Sequence, residues 1–336
     1  PGWSFFNKGE LMQRYTPYIS TALSFVAVVA YGILTRLAFG IKEFSAVFGT
    51  LSVAFLVVVP MVLGALTVFF ALPKYQRNWV YAAFVPWAPC LIFGGLAAAL
   101  TWEVWICVVM ALPILFVMSS LGGLVMCLLF HLFQKSGAPQ ISAAIILVIT
   151  PYIAAPIEHL FPVRDAARTA HAQIEVNATP EAIWPNIISV PAVGASEQPF
   201  SLFHVAGLPR PLEATLTGNP GVGGTRIGRW EDGLVFSGTF TDWQPNKRYT
   251  VRLDPDTRAV QSALPLAGIG GKEFDVTDDS YVIEPTGDGK VILHLYTSYR
   301  LTTRINRYGT VWIDFFMRDI QKHILKIVKA RSEAGQ

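Results

Sequence analysis

Hydrophobic positions follow two rhythms along the chain. Over the first 161 residues they run almost unbroken for about twenty positions at a time; from about residue 171 they alternate with polar ones, segment by segment. A hydrocarbon core of about 30 Å needs about 20 apolar helical residues. The first rhythm therefore predicts five membrane spans, at about 18–40, 45–72, 79–100, 104–133 and 140–157. Arg36 lies near the end of the first, where a long side chain reaches the interface. That segment is too long for a cleavable signal peptide, and no small-residue cleavage site leads from it into a soluble domain. The fourth span exceeds one perpendicular crossing and holds Pro113 and the Gly122-Gly123 pair, which predicts a tilt, a kink or a start in the interface. Pro151 and Pro156 weaken the fifth, the span that sets the side of everything after it.

The second rhythm predicts an α+β domain. A strand at about 171–177 leads into a short helix at 180–189, with Thr179 as N-cap and Pro180 at the first helical position. Strand-like runs follow: "LEATLTG", "GTRIGRWED", "LVFSGTFTDWQ", "RYTVRLD", "KEFDVTDDSYVIEP" and "KVILHLYTSYRLTTR". Most alternate as sheets with one buried face do, and Gly, Asn, Asp and Pro turns divide them. One long helix, about 306–331, ends the chain, with Trp312, Phe316, Ile320, Ile324, Ile327 and Val328 at helical spacing. The economical arrangement is a curved antiparallel sheet wrapped around that helix, with a cavity between them.

Composition sharpens the division. The chain is 52% hydrophobic and 15% charged, against about 25% charged in an ordinary soluble domain. Of 26 basic and 23 acidic residues, only seven and four lie in residues 1–161, leaving 19 of each beyond. A transmembrane helical domain over 1–161 and a soluble domain over 162–336 follow. The net charge of +3 belongs to the membrane half, so nothing suggests nucleic-acid binding. With five spans, one side receives Lys8, Arg14, Lys74, Arg77 and Lys135, and the other receives Lys42 beside Glu43, Glu103 and then Arg164 and Arg168. This bias predicts a cytoplasmic N-terminus in a bacterial inner membrane, with the soluble domain on the non-cytoplasmic side. Trp79, Trp87, Trp102 and Trp105 flank the third and fourth spans as an aromatic belt would. Span interiors offer mainly Ser, Thr, Gly and Pro and no internal repeat, which favours an anchor over a transporter.

"GNPGVGGTRIGRWEDGLVFSGTFTDWQPNKRYTVRL" resembles the strand-turn-strand core of the START/polyketide-cyclase (SRPBCC) superfamily, the helix-grip fold shared with birch-pollen-allergen-like proteins. "IEVNATPEAIWPNI" resembles that superfamily's first strand and helix. The resemblance covers about 169–332 and leaves the membrane half outside it. It implies a hydrophobic cavity for a lipid, sterol, polyketide or similar molecule. The superfamily includes lipid carriers, aromatase/cyclases and ligand sensors and shares no universal catalytic motif, so no catalytic residue is carried over.

Chemical motifs are sparse. Cys90, Cys107 and Cys127 lie in apolar segments and form neither a disulfide framework nor a ligand cluster. "GVGG" and "GIGG" lack a Walker lysine and a strand–GxGxxG–helix context, and read as hairpin turns. The six histidines show no HExxH spacing or Cys partner, so no metal and no cofactor is expected. Asp275, Asp278 and Asp279 read as an acidic, solvated turn, and Ser237 and Ser298 lack a nucleophile elbow. If even positions of the last strand face the cavity, His294, Tyr296 and Arg300 meet a ligand; otherwise they are outward cross-strand residues. Phe236, Phe240, Trp312 and Phe316 complete the candidate ligand-binding set. Two apolar loops place Phe200, Leu202, Phe203, Leu264, Leu266 and Ile269 either in packed connections or at a cavity mouth touching the bilayer.

Three functions remain open. The leading one is a membrane-anchored binding protein for a hydrophobic ligand, with membrane lipids or another apolar small molecule as partner. The second is a cyclase- or dehydratase-like enzyme on an apolar substrate, which needs an acid–base group inside the cavity. The third is a non-catalytic accessory subunit docking other membrane protein subunits.

Overall fold

The computed structural model describes residues 8–40, 52–100, 102, 105–133, 138–256, 270–286 and 289–334. The chain divides into two units, Pro1–Pro162 and Val163–Gln336.

The first unit is helical: α1 (Lys8–Phe39), a π-helical turn (Ala54–Val58) running into α2 (Val59–Phe69), α3 (Pro73–Gln76), α4 (Trp79–Phe84), α5 (Trp87–Ala99), α6 (Trp105–Leu132) and α7 (Ala138–Glu158). Four stretches, Ala22–Phe39, Trp79–Ala99, Trp105–Leu132 and Ile141–Glu158, are long and apolar enough to cross a membrane. Four of the five expected spans have counterparts among them. The fifth counterpart, Ala54–Phe69, is shorter, and residues 41–51 lie outside the described residues. Helix α6 runs unbroken through Pro113, and its 28 residues cover about 42 Å, more than a bilayer core. Helix α7 likewise continues through Pro151 and Pro156.

Small residues set the packing. A Cβ on Gly64 would collide with the Ser119 carbonyl, and one on Gly122 with the Met61 carbonyl, so α2 and α6 touch backbone to backbone. Hydrogen bonds stitch α1 to α7: the Tyr31 hydroxyl donates to the Val148 carbonyl at 2.9 Å, and the Thr35 and Tyr152 hydroxyls pair at 3.0 Å. The Glu158 carboxylate accepts from the Val53 and Ala54 amides at 3.0 and 2.9 Å. It thereby satisfies the first donors of the π-helical turn.

The second unit holds β1 (Ala166–Val176), α8 (Pro180–Ile188), α9 (Leu202–Val205), β2 (Pro211–Thr217), β3 (Thr225–Trp230), β4 (Val235–Gln244), β5 (Arg248–Asp256), β6 (Phe274–Pro285), β7 (Val291–Leu301) and α10 (Asn306–Ala334). The strands form one antiparallel sheet in the order β1-β7-β6-β5-β4-β3-β2. Every predicted strand-like run is a strand. Thr179 caps α8 by accepting from the Ala182 amide.

Helix α10 packs along β1 and β7. Val291, Leu293, Leu295, Thr297, Tyr299 and Leu301 are buried on the face of β7 toward it, joined by Ala170, Ala172 and Val176 of β1. Tyr299 donates to Asp314 of α10 at 2.7 Å. Gln321 of α10 donates to the Ala170 carbonyl at 3.1 Å and to the Thr297 hydroxyl at 2.9 Å. Trp184 of α8, Phe240, Trp243, Tyr249 and Tyr281 form an aromatic group in the core, several pairs meeting edge to face.

Candidate functional site

The phase of β7 decides where the candidates lie. Its odd positions face α10, so His294, Tyr296 and Arg300 stand on the opposite, convex face. There the His294 and His171 rings stack, with Nδ1 of His294 and Nε2 of His171 3.1 Å apart. Tyr296 lies on His171 with ring centroids 4.3 Å apart, and His294 Nε2 is 3.0 Å from Glu284. Burial, with His294 and Arg318 nearby, holds His171 below its ordinary pKa. Arg300 donates to the Gly271 and Lys272 carbonyls and ties β7 to the start of β6.

Phe240 is buried in the aromatic group, and Phe236 is half-buried against the edge of Trp230. Phe316 is buried on α10, while Trp312 is half-buried against Tyr308. Of the loop residues, Phe200 is 77% exposed and Leu202 43%, with Phe203 half-buried. Leu264, Leu266 and Ile269 lie outside the described residues.

The acidic turn is corrected: Asp275, Asp278 and Asp279 lie within β6. A bulge between Val276 and Asp278 inserts Thr277 and shifts the alternation, so that Asp279, Tyr281 and Ile283 follow Val276 on the concave face. Asp279 accepts from Thr297 Oγ1 at 2.6 Å. Burial raises its pKa, against the Thr297 hydrogen bond and the Arg226 charge.

Arg226 of β3 enters the same face. Its Nε donates to the Ile188 carbonyl at 3.1 Å and its Nη2 to the Ile187 carbonyl at 3.4 Å, at the C-terminus of α8 where a cation suits the helix dipole. The Tyr249 hydroxyl donates to the same Ile187 carbonyl at 2.7 Å. Burial raises the Tyr249 and Tyr281 pKa values well above those of a free phenol. Gly228, two residues beyond Arg226, could carry a Cβ without collision: it would make ordinary contact with Trp230 Nε1 at 3.8 Å and the Phe236 carbonyl at 3.9 Å. Leu216, Phe236 and Leu253 present apolar surface to this face by their register with Arg226, Gly228 and Gly238.

Three groups on this face have capacity to spare. Arg226 Nη1, Asp279 Oδ2 and the Tyr281 hydroxyl have no hydrogen-bond partner among the described residues. The sealed, unpartnered side-chain atoms of the described residues are His204 Nε2, Asp275 Oδ1, Gln321 Oε1 and His323 Nδ1. The three groups are not among these, so each unpartnered atom keeps some accessible surface. Arg226 and Asp279 sit deep in the fold, yet each keeps part of its surface accessible, as side chains lining an internal space do. Alternation counted back from Ile283 through Tyr281 would have pointed to Asp279, and counted back from Trp230 through Gly228 to Arg226.

A second polar knot fixes α9 to α10. Asp319 accepts from the Ser201 hydroxyl and, at 2.9 Å, from the Phe203 amide. His323 Nε2 donates to Gln198 Oε1 at 2.7 Å, and the His204 ring stands edge-on to His323. Among the described residues no three His, Cys, Asp or Glu side chains group as metal ligands do.

No family model and no curated protein matches the chain. Solved structures similar to it include a START superfamily protein from Mycobacterium smegmatis, 15% identical, covering 50% of this chain and 99% of that one, at a TM-score of 0.34. A truncated norcoclaurine synthase from Thalictrum flavum is 16% identical, with 50% and 97% covered and a TM-score of 0.30. The protein XoxI from Bacillus cereus is 12% identical, with 50% and 98% covered and a TM-score of 0.31. The order of the seven strands, and the long last helix packed on their inner face, give the second unit a helix-grip fold.

Proposed function

We propose that the chain is a membrane-anchored binding protein whose helix-grip unit holds a hydrophobic ligand on the concave face of its sheet. One observation carries this reading: an otherwise apolar, aromatic-rich face presents three inward polar groups whose unpartnered atoms are not sealed. Binding sites combine those two features, apolar walls for affinity and a few polar groups for orientation. Apolar surface buried there gains about 25 cal/mol per Å². The membrane-length helices keep the unit beside a reservoir of apolar molecules, and lipids of that membrane or another apolar small molecule are the expected partners. We place the anchor in a bacterial inner membrane and the unit on the non-cytoplasmic side, from the loop charges. Cysteine labelling beyond residue 165 from the cytoplasmic side alone would reverse that placement.

The enzyme reading loses its sequence candidate, because His294 lies on the convex face, and is left with Asp279 and Tyr281 as titratable groups on the concave one. Mass spectrometry of small molecules retained by the gently purified full chain tests the binding reading. A bound apolar molecule is expected at near one per chain; consistent absence of any would overturn it.

A further inference from the structure

We infer that the concave face selects ligands with an uncharged, hydroxyl-bearing head, held between Arg226 and Tyr281 as donors and Asp279 as acceptor. This rests on the binding reading above and specifies the chemistry of the same site. Arg226 already gives two donors to the end of α8, and Nη1 remains. Asp279 already accepts a hydrogen bond from the Thr297 hydroxyl on Oδ1, and Oδ2 remains. Tyr281 is 3% exposed, and its hydroxyl donates to no described residue. The site thus offers two donors and one acceptor from two strands, Arg226 on β3 and Asp279 and Tyr281 on β6.

Charge decides which head fits. Arg226 and Asp279 do not form an ion pair with each other, but contacts connect their surroundings. Arg226 and the Tyr249 hydroxyl share the Ile187 carbonyl, the Tyr249 and Tyr281 ring centroids are 5.1 Å apart, and Asp279 precedes Tyr281 by two residues on the same face of β6. The two charges balance. A carboxylate or ammonium head would leave one uncompensated charge in a poorly solvated interior, which is costly. A hydroxyl accepts from Arg226 or Tyr281 and donates to Asp279, completing the set without adding charge. A bare hydrocarbon leaves all three groups desolvated and unpaired, a penalty that makes hydrogen-bonding sites selective.

The test uses the full chain in nanodiscs with three photoreactive probes of equal chain length: a long-chain alcohol, the parent hydrocarbon and the fatty acid. Labelled peptides from β3 to β7 and α10 are counted by mass spectrometry. The alcohol is expected to label these peptides about tenfold more than either competitor. Asp279→Asn, which leaves Arg226 unbalanced, is expected to shift labelling toward the fatty acid. Tyr281→Phe keeps the ring and is expected to lower alcohol labelling a few-fold with hydrocarbon labelling unchanged. If the hydrocarbon or the acid labels as well as the alcohol, or if neither variant changes the ratios, the head-group inference is wrong while the binding site stands. If none of the three probes labels these peptides, the binding reading itself fails.

Discussion

Thr297 of β7 donates its hydroxyl proton to Asp279 of β6 across 2.6 Å, and Gln321 of α10 donates to the same hydroxyl from the other side. This chain of contacts locks the helix to the sheet and leaves one Asp279 oxygen turned to the concave face. Replacing Thr297 by Val, nearly its shape without the hydroxyl, removes a donor from the Asp279 oxygen and leaves the Gln321 amide with only its bond to the Ala170 carbonyl. We expect a loss of about 1–3 kcal/mol of stability. Thr297→Ser, which keeps the hydroxyl, should cost less. Unfolding followed by tryptophan fluorescence checks both.

Acid should weaken the hold of α10 on the 198–205 segment. His323 is fully buried, and burial, with His204 and Arg210 adding to it and Asp319 opposing it, pulls its pKa down from 6.5 to about 4. His204 is lowered too, by burial and Arg210, against Glu231 and Asp319. Between pH 6.5 and about 4 the unfolded chain therefore binds more protons than the folded one, so stability falls as pH drops through that window. His323→Gln should flatten this slope. Cleavage of the 198–205 segment by an acid-tolerant protease, followed against pH, reads it directly.

The α2–α6 contact should tolerate almost no added volume. Gly122→Ala and Gly64→Ala each place a methyl group against a facing carbonyl, and should cost about 1–3 kcal/mol or prevent assembly. Gly95→Ala is the control: nothing lies within 4 Å of a Cβ there, and it should be neutral or slightly stabilising. Thermal aggregation in detergent distinguishes them.

Glu158→Ala should loosen the start of the π-helical turn by removing the acceptor for the Val53 and Ala54 amides, at a cost of about 0.5–2 kcal/mol. Glu158→Gln retains an acceptor and should fall between wild type and Ala. Proteolysis around residues 52–54 reports the change.

Much of the fold was legible because its signals are local. Alternation marked all six later strands, and Thr179-Pro180 marked the start of α8. What was hidden depends on phase and on non-local pairing. In β7, Ile292 and Tyr296 are as apolar as the inward residues, so alternation could not say which face was buried. In β6 the extra Thr277 shifts the phase midway, and the three aspartates read as a turn. Nothing local singles out Arg226, because its partners, the carbonyls ending α8, lie nearly forty residues back in the chain. Nor does anything local mark Glu158, because the amides it accepts from are over a hundred residues away.

The most direct test compares the wild-type chain with Gly228→Leu, which adds a bulky side chain to the concave face beside Phe236 and Trp230 at a position where a Cβ meets no clash. Both are purified gently, and their retained small molecules are quantified by mass spectrometry. The account predicts an apolar, hydroxyl-bearing molecule at near one per chain in the wild type, and at least about tenfold less in a folded Gly228→Leu chain. Equal retention by the two proteins would contradict a ligand on the concave face.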